Sequence, residues 1–203
     1  LIETPSNTLL LGCQNTTIPS TVTTIGFQAF RWCKGLTSIT IPDNVQEIHG
    51  YAFRYCNNLT SVKIGAGVKT IAYAAFNQCE SLTSINIPDN VEVIESEAFS
   101  WCQKLTTITI GSGIKSIYPY VFNFCNQFKT VICKAVNLPK SAEYSEDYIF
   151  GNDLTRLADV NLYVPAESIE LYKTTSPWSY FGTILPLDQA PSDGVENICG
   201  TTA

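Results

Sequence analysis

Residues 36–58 read LTSITIPDNVQEIHGYAFRYCNN, and the pattern returns as LTSVKIGAGVKTIAYAAFNQCES at 59–81 and LTSINIPDNVEVIESEAFSWCQK at 82–104. Aligned at an offset of 23 residues, the chain keeps the same columns apolar over five turns. A fixed period of this length predicts a solenoid, because a single unit cannot bury its apolar face alone. The clearest column holds one phenylalanine per turn, at Phe30, Phe53, Phe76, Phe99 and Phe122.

Each repeat begins with a segment typical of a β-strand. At the end of residues 36–41, β-branched apolar residues alternate with polar ones, which gives an extended chain one buried and one solvated face. We expect the copies to stack as a parallel sheet with strands about 4.8 Å apart. The predicted strands centre on Ile39, Val62, Ile85, Ile108 and Val131.

The rest of the repeat predicts a turn and a short helical segment. The Ala-Phe-x-x-Cys-x-x-Leu stretch has apolar residues at helix-like spacing, and its shortness favours one turn of α- or 3₁₀-helix on the face opposite the strands. The turn after each strand has Asn or Gly at its second position, residues that tolerate a left-handed backbone. We therefore expect positive φ at Asn44, Gly67, Asn90 and Gly113.

The two ends depart from the period. Regular repeats span about 10–133, and residues 1–8 are interpreted as a fragment of an earlier turn. An irregular C-terminal cap is expected over 134–187, since an open solenoid end would expose apolar surface. We expect this cap to contain a loop over 135–148, a strand over 157–165, a helix over 167–173 and closure by Trp178, Phe181 and Ile184. Residues 188–203 are predicted to form a linker.

Composition excludes several classes of function. The chain carries 18 Asp+Glu against 12 Lys+Arg, a formal net charge of -6. Such a balance offers no basic footprint for nucleic acid or for an anionic membrane surface. No apolar run reaches the roughly 18 residues that a membrane span requires, so we expect no membrane insertion in this segment.

The cysteine column invites a metal or redox interpretation, but its geometry favours buried free thiols. Zinc sites use Cys pairs two to four residues apart, and stacked side chains about 4.8 Å apart do not converge as a disulfide requires. We extend this prediction to Cys13 and Cys133, and expect Cys199 in the linker to be the reactive thiol. The column contains Cys33, Cys56, Cys79, Cys102 and Cys125.

No catalytic constellation is found. His49 is the only histidine, its column is variable, and it lies on a different part of its turn from Cys56. The chain has neither a Gly-rich phosphate loop nor a nucleophile-elbow or zinc-protease motif. We therefore predict a protein that is not an enzyme and that carries no catalytic residue, cofactor or metal.

Two variable surfaces remain as candidate binding sites. Polar residues should project in rows from the strands, on the kind of long regular face that solenoids use as a platform. Aromatic residues that directly precede the cysteines form a strip interrupted by Gln78, suited to a protein or to a sugar. The strand-face candidates are Ser61, Lys63, Ser84, Asn86, Thr107 and Thr109, and the aromatic strip contains Trp32, Tyr55, Trp101 and Phe124.

The repeat resembles the BspA-like, or treponemal-type, leucine-rich repeat family, whose units follow the pattern seen from Leu36 through Pro42, Val45, Ile48 and Ala52 to Cys56. The resemblance implies an α/β-type leucine-rich repeat solenoid from the surface or secretions of a host-associated bacterium. It also implies a protein-binding or adhesion role, with a host extracellular protein as the expected partner, and it transfers no ligand-binding residues. We expect a monomer. The alternatives are a structural spacer that presents another domain and carbohydrate binding through the aromatic strip.

Overall fold

The computed structural model describes residues 1–4, 6–140 and 148–192. The chain coils so that each circuit between residues 38 and 117 contributes one strand to each of two parallel arrangements. One of these forms the strand face: β4 and β6 pair with each other, and β8, β10, β12, β13 and β14 form a five-stranded sheet beside them. The strands of this face are β4 (Ser38–Thr40), β6 (Ser61–Lys63), β8 (Ser84–Ile87), β10 (Thr107–Ile110), β12 (Thr130–Cys133), β13 (Asn161–Val164) and β14 (Thr183–Pro186).

The predicted strands are confirmed, and the repeat sets their register. Ile39 pairs with Val62 in one ladder, while Ile85, Ile108 and Val131 pair in succession in the other. All five side chains point into the core, so neighbouring turns bury equivalent positions against one another. The leucine-rich repeat solenoid is thus the fold of the chain.

A second sheet, which the sequence did not predict, runs along another side of the coil. Its repeated strands are only two residues long and coincide with the Ile25 column, where Ile48 pairs with both Ile25 and Ile71. This seven-stranded sheet contains β1 (Ile2–Glu3), β2 (Thr8–Leu9), β3 (Thr24–Ile25), β5 (Glu47–Ile48), β7 (Thr70–Ile71), β9 (Val93–Ile94) and β11 (Ser116–Ile117).

The helical turn predicted for the Ala-Phe-x-x-Cys segment is wrong. The segment forms successive tight turns, in which Arg54 N donates to Tyr51 O at 3.0 Å and Cys56 N to Phe53 O at 3.2 Å. Left-handed residues separate these turns: φ is 60° at Tyr51 and 65° at Tyr55. Their N–H groups donate to carbonyls of the next circuit, so hydrogen bonds between circuits replace the bonds that would propagate a helix.

The positive φ predicted at Asn44, Gly67, Asn90 and Gly113 is also wrong, since none of these four residues has it. Asn90 instead donates its side-chain amide to Ala66 O of the preceding circuit at 2.7 Å, and Asn44 makes the equivalent bond to Val22 O. These side chains therefore satisfy backbone carbonyls between circuits.

Glycine is required at Gly67 by close packing rather than by φ. A Cβ at this position would lie 1.8 Å from the carbonyl oxygen of Asp43. The side chain of Asp43 meanwhile accepts a hydrogen bond from Ala66 N at 2.9 Å. Gly113 and Asp89 repeat this arrangement, so the circuits interlock in alternating pairs.

The core is organised around the phenylalanine column. Successive rings are nearly parallel, with centroids 4.8, 4.8, 5.2 and 5.7 Å apart, and each is at most 1% exposed. Phe150 extends the stack by packing 5.8 Å from Phe122, and Trp178 then meets Phe150 edge-on at 5.5 Å. The apolar interior is therefore one continuous cluster from the first circuit to the cap.

At the N-terminus, the interpretation of residues 1–8 as a fragment of a turn is wrong. Strand β1 pairs antiparallel with β2, so the chain begins as a hairpin. Strand β2 then joins the second sheet by pairing Thr8 with Thr24 and Leu9 with Ile25. The first circuit therefore closes over sixteen residues, fewer than the regular repeat.

In the C-terminal cap, the strand predicted over 157–165 is confirmed only for Asn161–Val164, because Thr155–Asp159 form a 3₁₀ helix, and the predicted helix is present. Strand β13 continues the strand face, helix α1 (Ile169–Thr174) follows, and β14 adds a strand that the sequence did not predict. Trp178 and Phe181 are buried as expected, while Ile184 is half-buried. Residues 141–147 of the predicted loop and 193–203 of the predicted linker lie outside the described residues. The linker therefore stays a prediction, although Leu187–Gln189 at its start form a 3₁₀ helix.

Candidate functional site

The strand face presents exposed polar side chains in two rows. Ser61 and Lys63 project from β6, with the buried Val62 between them, and Ser84 and Asn86 project from β8 in the same alternation. These side chains point away from the core because residues two apart on a strand share a face. These two strands therefore present the solvated face that the sequence predicted.

Toward the cap, the same face becomes apolar and closed. Thr109 is only 2% exposed, so the prediction that its side chain projects into solvent is wrong. Thr107 is half-buried. Thr109 pairs with Ile132, which in turn pairs with Tyr163, and both partners are buried. The accessible strand face is therefore concentrated on β4, β6 and β8.

The aromatic strip consists of two stacked pairs separated by Gln78. The rings of Trp32 and Tyr55 stack with centroids 3.8 Å apart, and those of Trp101 and Phe124 with centroids 4.2 Å apart. The four aromatic residues and Gln78 all have positive φ, so their backbones share the left-handed conformation at equivalent corners of successive circuits. Trp32 is 51% exposed, so these rings cover the corner without being withdrawn from solvent.

The first aromatic pair carries a cluster of cations that sequence reasoning missed. The Arg54 guanidinium lies 4.6 Å from the Tyr55 ring centroid, and Arg31 and Lys34 lie 5.9 and 5.7 Å from that of Trp32. Cation–π attraction at such distances orders the long side chains over the rings. The signal was available in the sequence, since Arg31 directly precedes Trp32 and Arg54 directly precedes Tyr55.

The cysteine column is buried except at its start. The thiol of Cys56 donates to Phe30 O of the preceding circuit at 3.1 Å, and the thiols of Cys79, Cys102 and Cys125 repeat this bond. Such a bond explains why a small residue with a weak donor suits the column. Among the described residues every cysteine is free. The column is therefore structural.

Two cysteines differ from the prediction of burial. Cys33 is half-buried, because the short first circuit covers it incompletely, and Cys13 is exposed. Thr16 Oγ lies 3.4 Å from Cys13 Sγ, and this hydrogen bond lowers the pKa of the Cys13 thiol. Cys133 is buried as predicted, and burial raises its pKa.

Thiol labelling should separate these environments. The thiolate is the reactive form, and burial raises the pKa of Cys56 to about 12. Among the described cysteines, under native conditions at neutral pH, we expect Cys13 to react with iodoacetamide first, Cys33 more slowly, and the column from Cys56 to Cys125 only after unfolding. Cys199, which the sequence predicts to be the reactive thiol, lies outside the described residues. Mass spectrometry of the digested protein measures each rate. Labelling of Cys79 as fast as that of Cys13 would contradict the packing.

The remaining candidates for chemistry do not converge. His49 is partly exposed and lies 3.0 Å from Glu47, while Cys56 of the same repeat is fully buried. Within the described ranges, no group of three His, Cys, Asp or Glu side chains is placed to hold a metal ion. The same part of the chain contains no helix long and apolar enough to cross a membrane.

Comparison with known families identifies the repeat. The model of the BspA type leucine rich repeat region matches six copies, over residues 10–129 and 48–173. The chain therefore belongs to the BspA-type leucine-rich repeat family. A search of curated proteins finds no match.

Solved bacterial structures share the fold. A Treponema pallidum leucine-rich repeat protein is 23% identical with a TM-score of 0.55, over 82% of this chain and 63% of its own. The pneumococcal vaccine antigen PcpA is 19% identical with a TM-score of 0.71, over 93% and 46%. A leucine-rich repeat protein from Eubacterium ventriosum is 28% identical with a TM-score of 0.51, over 66% and 41%. The chain thus spans less than two thirds of each of these proteins.

Proposed function

We propose that this chain is a non-catalytic binding module of a cell-surface or secreted bacterial protein, and that it recognises a protein ligand through its strand face. The supporting observation is the exposed double row on β4, β6 and β8, held in place by the parallel strands and by the buried residues between. A rigid surface loses little conformational entropy on binding, which favours affinity. The partner we expect is a host extracellular protein.

The competing location is the cationic surface around Trp32 and Tyr55. Tryptophan, tyrosine and arginine dominate binding hot spots, and this surface contains all three. Its side chains are already engaged with one another, however: Arg54 also donates to Asn77 at 3.1 Å. The exposed strand-face residues Lys63 and Asn86 project from their strands without such a stacking role, so we favour them as the determinants of ligand choice.

The test is capture followed by paired substitution. The chain is immobilised, exposed to extracellular-matrix and mucus proteins, and its affinity for each purified captured protein is measured. We expect Lys63→Glu combined with Asn86→Arg to weaken binding at least about tenfold with an unchanged melting temperature, because both side chains are exposed. Trp101→Ala should mainly lower the melting temperature, since Trp101 packs on Phe124.

Two outcomes would overturn the proposal. Binding abolished by Trp32→Ala in a folded protein, with no effect of the strand-face pair, would move the site to the aromatic surface. Failure to capture any matrix or mucus protein would favour a spacer that presents another domain.

A further inference from the structure

A cleft lies between the last regular circuit and the cap. Its volume is about 220 Å³, and one aromatic ring stands among amide and charged side chains. The cleft joins residues some thirty positions apart in the chain, so it arises only where the cap meets the repeats. Its lining is Asn123, Phe124, Asn126, Asn152, Asp153 and Arg156.

We propose that this cleft binds a neutral pyranose sugar, with the ring of Phe124 as the stacking platform. Phe124 is 43% exposed, and Trp101 packs on it at 4.2 Å. A pyranose presents a face of C–H groups that covers such a ring and a rim of hydroxyl groups that both donate and accept hydrogen bonds. The aromatic surface therefore supplies the apolar contact and the cleft supplies the polar partners.

The hydrogen-bonding groups leave suitable positions for hydroxyl groups. Asp153 Oδ1 accepts from the backbone N of Thr155 at 3.1 Å and from its hydroxyl at 2.6 Å, so Oδ2 is the oxygen left to receive a sugar hydroxyl. Asn126 Oδ1 accepts from Arg156, which leaves its amide N–H groups as donors. Asn152 is exposed at the rim and offers both functions.

The charges favour a neutral ligand over an anionic one. Both terminal nitrogens of the Arg156 guanidinium are engaged within the protein: Nη1 donates to Asn126 and, at 3.3 Å, to Cys125 O, and Nη2 donates to Phe150 O. Hydrogen bonds from Thr155 lower the pKa of Asp153, so this exposed carboxylate is ionised at neutral pH and would repel an acidic sugar. A neutral hexose or N-acetylhexosamine fits both facts.

The backbone on both sides of the cleft is fixed by hydrogen bonds and by the phenylalanine stack. Phe122 N donates to Ile149 O at 2.9 Å, and the Phe150 ring, fully buried, continues the phenylalanine stack directly beneath. Gly151 adopts φ 96°, and a Cβ there would lie 2.3 Å from Asn123 Oδ1, so this glycine permits the close approach of the two walls. The proposal is independent of the strand face, because the two surfaces share no residue.

The experiment uses methyl glycosides of galactose, mannose, glucose and N-acetylglucosamine, with methyl sialoside as the acidic probe. Binding to the whole 203-residue chain is measured by saturation-transfer NMR and calorimetry at millimolar sugar. We expect at least one neutral glycoside to bind, and Phe124→Ala to weaken it about tenfold. Asp153→Asn and Asn152→Ala should weaken it as well, and both sites are exposed enough that folding should be kept.

The controls are Phe27→Ala, an exposed aromatic outside the cleft, and Asn86→Ala on the strand face. Both should bind the glycoside as the parent chain does. The proposal fails if no neutral glycoside binds at millimolar concentration, if only the sialoside binds, or if Asp153→Asn and Asn152→Ala bind like the two controls.

Discussion

Phe76→Ala is expected to lower the free energy of unfolding by about 3–5 kcal/mol, the range for removing a fully buried phenylalanine. Phe76 lies in the middle of the stack, 4.8 Å from Phe53 and 5.2 Å from Phe99, and it is 0% exposed. Its loss leaves a cavity between two circuits, and neighbouring circuits provide most of each other's stability in a solenoid. Urea denaturation followed by circular dichroism measures the change.

The matched control is Phe27→Ala. Phe27 is 60% exposed and touches Tyr51 only edge-on, so its removal should cost a small fraction of the Phe76 value. Equal losses at the two positions would contradict the proposed core, because the stack would then contribute no more than a surface ring.

Gly67→Ala is expected to destabilise the protein by at least about 2 kcal/mol, toward the upper part of the range for overpacking. The added Cβ would lie 1.8 Å from Asp43 O, and only a backbone shift between two circuits can relieve that contact. The sign of the effect is informative, since Gly→Ala at an unstrained site stabilises by about 0.4–1 kcal/mol through the unfolded chain.

Gly50→Ala provides the graded comparison. Its Cβ would lie 3.2 Å from Tyr73 O, a contact that a movement of a few tenths of an ångström relieves. Thermal unfolding of both variants should place Gly67→Ala well below Gly50→Ala. The reverse order would show that the circuits are spaced more widely at the Asp43 turn than the structure has them.

The parts of the fold that repeat could be predicted, because each apolar column is observed five times. Phe53, Val62 and their equivalents therefore gave the strands and the core directly. The corners could not be predicted, since Tyr51 and Tyr55 have no intrinsic preference for positive φ and adopt it through hydrogen bonds to the next circuit. The prediction of positive φ at Asn44 and Gly67 was wrong for the same reason. The Asn44 side chain bonds to the preceding circuit, and Gly67 lacks a side chain because the preceding circuit packs too close, so neither residue reflects the local backbone conformation.

In the candidate sites, too, only the features that follow from the repeat could be predicted. The exposure of Lys63 and Asn86 followed from strand alternation, whereas Thr109 is buried beside Ile132 of the next circuit, which pairs in turn with Tyr163 of the cap. The cleft at Phe124 lay beyond sequence reasoning, because Asp153 belongs to an irregular segment that no period aligns with the repeats.

Radical footprinting of the chain, with and without a captured protein ligand, tests the strand-face proposal most directly, because it reports the solvent exposure of individual side chains. We expect oxidation of Lys63 and of the strand-face peptides over 59–64 and 82–87 to fall when the ligand binds, while that of Trp32 and Tyr55 stays unchanged. Protection of Trp32 and Tyr55, with the strand-face peptides oxidised as in the free protein, would contradict the account.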